Sequence, residues 1–111
     1  TPELRDFALR LGLAAAGRPN AFTPRTLTTM AFSLSLLGVR DATVLAFMRA
    51  ESRKQIMDFE PSHCTLMLET LRRQGVFDRE LIDAIVERMS DEVDRFSSRE
   101  IVDGLSVVSK P

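Results

Sequence analysis

The sequence predicts an all-α fold: an α-solenoid of stacked helical hairpins with a 37-residue period. Three observations carry that reading. Phenylalanine recurs at Phe22, Phe59 and Phe96, and between the first two windows Pro24/Pro61, Thr28/Thr65, Met30/Met67, Leu34/Leu71, Gly38/Gly75, Val39/Val76 and Asp41/Asp78 recur in register. Self-similarity at a period of this size marks supersecondary units that stack. Apolar residues fall at the i, i+3, i+4, i+7 spacing of amphipathic helices, and no stretch sustains the alternation of a strand. Cap and breaker residues punctuate each stripe at both ends.

The elements follow in order. Thr1-Pro2-Glu3 reads as an N-cap, a proline in the first turn and an acid facing the positive end of the helix dipole. A helix is expected over Pro2–Ala16, stopped by Gly17, Pro19 and Asn20, so that residues 1–21 form the terminal helix of a preceding repeat. The repeat 22–58 opens with Thr23 as cap and Pro24 as first helical residue; Leu27, Met30, Ala31, Leu34 and Leu37 make its inward stripe, and Gly38 sits where a left-handed cap is needed. Asp41 caps a second helix with Val44, Leu45, Met48 and Ser52 inward, ending near Ile56. The repeat 59–95 follows the same plan. Pro61 opens a helix with Cys64, Met67, Leu68 and Leu71 inward, Gly75 ends it, and Asp78 caps a partner bearing Leu81, Ile82, Ile85 and Met89. In the half repeat 96–111, Ser97 and Glu100 form a capping box for a last helix whose core face is Ile101, Leu105 and Val108. Gly104 aligns with Met30 and Met67, and marks either a close helix approach or a frayed end.

The physical reason for stacking is that one pair of amphipathic helices cannot cover its own apolar stripe, whereas neighbouring pairs bury a continuous core. The recurrent phenylalanine precedes each N-cap, the staple position from which it packs on the first turn of its helix.

Length and composition narrow the classes. The chain's 111 residues suit one domain, 1–111, and 44% hydrophobic with 28% charged residues is ordinary for a globular protein. No apolar run approaches the roughly 18 residues that span a bilayer, so membrane insertion is not expected. A single cysteine excludes an internal disulfide. The net charge of −1 hides an uneven spread. Residues 22–58 carry five basic and three acidic side chains, and residues 59–95 five basic and nine acidic. A protein that grips phosphates by charge alone would be more basic. The balance fits a chain that contacts proteins, or that meets nucleic acid over one local patch. A chain opening on Thr1, with half a repeat at each end, reads as a processed or partial product whose stack continued further, any targeting peptide being out of view.

Candidate chemistry is sparse. His63-Cys64 is the one His/Cys pairing, and a metal site needs three or four converging ligands. Adjacent helical residues point about 100° apart, which disfavours a Cys–His nucleophile. Cys64 aligns with the core positions Leu27 and Ile101, so a buried structural thiol beside a surface imidazole is expected. Glu87, Asp91, Glu92 and Asp94 lack the glycine turn and spacing of a calcium loop and read as a solvated helix end, or as a surface that repels nucleic acid and prefers a basic protein neighbour. Gly12, Gly17 and Gly38 do not form a phosphate-cradling loop. Arg49, Arg53 and Lys54 on one flank, with Arg72 and Arg73 at the end of the next helix, are the candidate contacts for RNA phosphates or for a protein partner, with Glu51 and Glu69 close enough to neutralise part of the patch. Their alternative is a set of solvated side chains, the last two favoured by a helix C-terminus. Thr26, Thr29 and Ser33 are surface hydroxyls suited to reading bases in a repeat code. Without Trp or Tyr, base stacking would rest on Phe or Arg, and Phe22, Phe59 and Phe96 are committed to packing. No nucleophile, acid–base pair or cofactor motif converges, so neither an enzyme nor a cofactor is expected.

The pattern Phe-x-Pro/Ser opening a helix, a glycine between helices and Asp-x-x-(apolar) opening the second resembles the heptatricopeptide (37-residue) repeats of organellar RNA-handling proteins. These are related to the FAST-kinase-like and octotricopeptide RNA-binding proteins. Phe59–Asp78 (FEPSHCTLMLETLRRQGVFD) and Phe96–Leu105 (FSSREIVDGL) carry most of the likeness, which extends over Phe22–Ser109. The chain lacks the Trp–Gly–Tyr pattern of tetratricopeptide repeats. The resemblance implies a mitochondrial or plastid location and RNA as partner, either rRNA or an organellar transcript, alongside neighbouring protein subunits. It points to a subunit or accessory factor of a mitochondrial ribosome. The rival is a protein–protein scaffold in a large mitochondrial complex of respiratory or ATP-synthase type, which the near-zero net charge favours.

Overall fold

A computed structural model describes residues 1–109; the last two residues of the expected half repeat 96–111 lie outside the described residues. The described chain is all-helical, without strands: α1 (Pro2–Ala16), α2 (Pro24–Leu36), α3 (Ala42–Gln55), α4 (Pro61–Gln74), α5 (Arg79–Glu92) and α6 (Ser98–Val108). Short 3-10 turns at Ile56–Asp58 and Val93–Arg95 follow α3 and α5.

Each helix starts where a side chain satisfies its free N–H groups. Thr1 Oγ1 accepts from the Leu4 N–H at 3.1 Å. Thr23 and Thr26 form a reciprocal capping box at 3.2 and 2.9 Å. Asp41 accepts from Val44 at 3.0 Å, Asp78 from Leu81 at 3.1 Å, and Ser97 with Glu100 closes the box expected for α6. The start of α4 uses a device that sequence reading missed: the Glu60 N–H donates to Nδ1 of His63 at 3.0 Å. At the C-termini, Gly38 (φ 73) and Gly75 (φ 66) turn left-handed, and the following valines donate back to Leu34 and Leu71, each at 3.0 Å.

The helices contact one another in two rows, α1 on α3 on α5 and α2 on α4 on α6, joined through the pairs α1–α2, α2–α3 and α4–α5. The main core gathers Leu27, Met48, Phe59, Met67, Leu71 and Leu81 from four helices and one connecting segment; a smaller one holds Ala8, Leu34, Val39 and Val44. Gly12 lets α1 close on both neighbours, since a Cβ there would stand 3.1 Å from Val44 and 3.3 Å from Leu34. Gly104 is buried, but a would-be Cβ would stand 3.4 Å from the Met89 methyl, an ordinary van der Waals contact, so its surroundings do not demand a glycine.

Side chains also tie the segments through backbone carbonyls. Gln55 Nε2 donates to the Phe22 carbonyl at 2.9 Å and Arg88 Nε to the Phe59 carbonyl at 3.1 Å. Gln74 Nε2 reaches the Val39 carbonyl at 2.9 Å, while Arg40 Nη2 reaches the Gln74 carbonyl at 2.6 Å.

Two expectations are corrected. Leu37 is exposed, because α2 ends at Leu36 and the reversal at Gly38 brings Val39 back onto the core instead. Ile101, Leu105 and Val108 are exposed too: α6 turns Gly104 and Val107 toward its neighbours, and none of the described helices covers its other side.

Gly75→Ala is expected to lower stability by about 1–2 kcal/mol, the cost of a side chain in the left-handed region. It should cost more than Gly38→Ala, because the added methyl would meet Arg40 at 2.6 Å, against 3.8 Å from Arg5 at Gly38. Urea unfolding followed by circular dichroism measures both; equal losses would mean that the Arg40 contact contributes nothing.

Candidate nucleic-acid interface

Arg49 and Arg53 sit one turn apart on α3 and point at the N-terminus of α5. There Asp78, whose side chain is 4% exposed, receives Arg49 Nε at 2.7 Å and Arg53 Nη2 at 2.5 Å on the same oxygen. Its other oxygen takes the Leu81 N–H that starts α5. One carboxylate therefore caps a helix and pins the preceding helix of the same row. Burial alone would push this carboxyl up, but the Arg49 guanidinium, the Leu81 N–H and Arg53 together outweigh it and hold Asp78 below the usual carboxylate range.

The remaining candidate cations are paired as well. Lys54 Nζ lies 2.7 Å from buried Glu51 and 2.9 Å from the Asn20 side-chain oxygen. The second carboxylate oxygen of Glu51 is buried without a hydrogen-bond partner. Arg72 makes a forked contact with Glu69 at 2.5 and 3.0 Å; Arg73 reaches the same carboxylate at 3.3 Å and lies 5.6 Å above the Phe32 ring. The structure thus brings Arg49 together with Arg53 on Asp78, and Arg72 with Arg73 on Glu69. All five side chains keep 37–49% of their surface in solvent, where a phosphate can reach the outward donors.

The other sequence candidates fall into place around these pairs. Cys64 is buried, and burial pushes its thiol up to about 11, which leaves it unreactive. His63 is half-buried, packed edge-on to Phe59 with ring centroids 5.9 Å apart, and burial lowers its pKa; it is a capping residue rather than a free surface imidazole. The Thr26 and Ser33 hydroxyls bond to Thr23 and to the Thr29 carbonyl, and Thr29 is exposed. Of the acidic group, Glu92 pairs with Arg88 and Arg95, while Glu87, Asp91 and Asp94 are exposed. Among the described residues no cluster of three or more His, Cys, Asp or Glu is placed to hold a metal ion. Among the described residues no helix is long and apolar enough to cross a membrane.

Sequence reasoning missed Arg40, Gln55, Gln74 and Arg88 as ties, and Asp78 as the acceptor for Arg49 and Arg53. Separations of 25 to 35 residues leave no local signal for such pairs. A scan of protein-family models finds none that matches this chain, and neither curated proteins nor solved structures yield a match.

Asp78→Asn is expected to remove about 1–2 kcal/mol at neutral pH, the charge-assisted bonds being lost while an asparagine still caps. Because the folded-state pKa of Asp78 is depressed, its contribution is complete above the ordinary carboxylate range and fades as pH falls through the lowered value. The unfolded chain takes up the proton first, so stability should drop below about pH 4, and less steeply in Asp78→Asn. Denaturant midpoints across that range check the sign. Cys64 should react with a thiol reagent at least ~100-fold more slowly in the folded chain than in denaturant, as read by absorbance.

Proposed function

We propose that this chain is an α-solenoid of 37-residue helical repeats that binds RNA in an organelle, as a subunit or accessory factor of a mitochondrial ribosome. The observation that carries the repeat reading is a recurring set of structural devices. Phe22 and Phe59 stand 37 residues apart, and each gives its carbonyl to the side chain of a later helix, although the donors Gln55 and Arg88 are not equivalent positions of the repeat. Left-handed glycines and aspartate N-caps repeat at the same interval. The RNA reading rests on the resemblance of that repeat to the heptatricopeptide class. It is supported by guanidinium groups whose carboxylate contacts leave part of each fork in solvent.

The cations differ in how available they are. Arg49 and Arg53 are committed to Asp78, whose burial makes that node costly to open. Arg72 and Arg73 share Glu69, a less buried carboxylate than Asp78, in surface pairs that a phosphate can displace more readily, whereas Lys54 is held by Glu51, which is as buried as Asp78. Arg72 and Arg73 are the residues assigned to phosphate contact.

A second reading, a protein–protein scaffold of a large mitochondrial complex, draws on two observations: each candidate cation already has a carboxylate within 4 Å, and the net charge is −1. Fluorescence anisotropy with labelled single-stranded organellar RNA separates the two. If the RNA reading is right, affinity falls with salt at roughly −0.7 per neutralised phosphate. The double variant Arg72→Glu, Arg73→Glu should then lose at least ~10-fold in affinity and about 1.4 from the salt slope, with its helical circular dichroism intact. No binding by the wild-type chain at low salt would leave the scaffold reading standing.

A further inference from the structure

We propose that the edge of the stack at the α1–α2 connection is a second RNA contact, where Arg18 and Arg25 take backbone phosphates. The identity of the partner rests on the RNA reading above; the site itself rests on an unequal pairing of charge. Among the described residues, every basic side chain from Arg49 to Arg99 has a carboxylate within 4 Å. None of the arginines before them has one, and residues 7–40 contain no acid at all. Of these, Arg5 lies beside the Gly38 turn, and Arg40 donates to the Gln74 carbonyl. Arg18 and Arg25 bracket the α1–α2 connection, both exposed, and neither guanidinium is hydrogen-bonded to another described residue.

An internal comparison shows what is unusual about Arg25. Two periods later the same position of the repeat holds Arg99, in the first turn of α6, and Arg79 opens α5. Each of those has an aspartate one turn on, Asp103 and Asp83, at 3.6 Å, and an acid in the first turn of its helix. Arg25 has Thr29 where the aspartate would stand, and the first turn of α2 carries no acid. A cation at that end of a helix opposes the dipole. Nothing inside the chain compensates for it, and a residue that breaks a local rule in this way marks a position kept for function.

The connection between the two arginines is held in place. Asn20 adopts a left-handed φ of 67°, and its side-chain oxygen accepts from Lys54 Nζ at 2.9 Å. Gln55 Nε2 fixes the Phe22 carbonyl at 2.9 Å. The exposure of this edge does not depend on where the chain starts. The α3–α4 connection, which lies between the α1–α2 and α5–α6 connections in the stack, exposes Met57, Asp58 and Glu60 in the same way. Charge reverses along the edge: one period on, Ala21, Thr23 and Lys54 become Asp58, Glu60 and Asp91, so an anion is directed to the first connection. A phosphate backbone fits it better than a protein surface. Guanidinium forks match phosphate oxygens two at a time. A protein partner would anchor on large apolar side chains, and none between residues 14 and 35 is exposed.

Fluorescence anisotropy of the whole chain with labelled single-stranded organellar RNA tests this, with circular dichroism as the fold control. The double variant Arg18→Glu, Arg25→Glu should bind at least ~10-fold more weakly and lose about 1.4 from the salt slope, two phosphates at roughly 0.7 each. Arg79→Glu with Arg99→Glu makes the same change in net charge at arginines that already have partners, and screening should hold its loss below ~3-fold. Arg18→Gln with Arg25→Gln replaces the first pair should the reversals disturb folding. NMR titration of the wild-type chain with the same RNA should move the amide signals of residues 17–26. Binding that Arg18→Glu, Arg25→Glu leaves intact while Arg72→Glu, Arg73→Glu weakens it would overturn this contact and keep the RNA reading. Equal losses in the Arg18/Arg25 and Arg79/Arg99 variants would also overturn it, by showing that net charge alone is read. A wild-type chain that binds no RNA at low salt would remove both. If that chain instead binds vesicles containing phosphatidylserine through Arg18 and Arg25, the occupant is a lipid surface and the RNA contact is again overturned.

Discussion

The burial of α4 on three sides is the constraint on which the structure depends. Its residues face α2, α5 and α6, and Cys64, Met67, Leu68, Thr70, Leu71 and Gln74 are all buried. No single partner helix can hide so wide a surface, because an amphipathic helix offers one stripe for contact. The chain meets the demand by placing neighbours in two rows. Phe59, fully buried just ahead of α4, fixes where that helix enters the core, and its carbonyl is held by Arg88. The outer helices face a lighter demand and meet it less completely, which is why α1 and α6 expose leucine, isoleucine and valine.

Polar contacts then set register between segments that apolar packing would let slide. Asp78 does so for α3 and α5, Gln55 for the start of α2, and Gln74 with Arg40 for the junction between α2 and α4. Most of these bonds end on backbone groups or on a buried carboxylate, so the donor must sit at one place to make them. The consequence for function is a division of labour among the cations. Those tied to the buried carboxylates Asp78 and Glu51 hold the fold, and those tied to Glu69 lie in the more exposed pair that the proposed function assigns to an outside anion.

The chain is polarised along its length, basic before residue 59 and acidic after it, and each end closes on an apolar seam. Near-zero net charge therefore gives a poor picture of the surface a partner meets. Local pairs such as Arg72 and Arg73 on Glu69 decide what an outside group meets, since they lie within the acidic half.

Helix number, starts, stops and most inward stripes were legible in the sequence, because caps, prolines, glycines and apolar spacing act over at most a few residues. Thr23, Asp41, Asp78 and Ser97 accept the N–H groups their positions announce, and Gly38 and Gly75 adopt the left-handed turn expected of them. Leu37 and the stripe of α6 were misread because an apolar residue on a helix face is buried only if something stands opposite, and local spacing carries no record of that. The pairing of Arg49 and Arg53 with Asp78, and of His63 with the start of α4, likewise became visible only when the helices were in place. Local chemistry determined what each helix is; the distances between helices, which no short window contains, decided which charges hold the fold and which remain exposed to a partner.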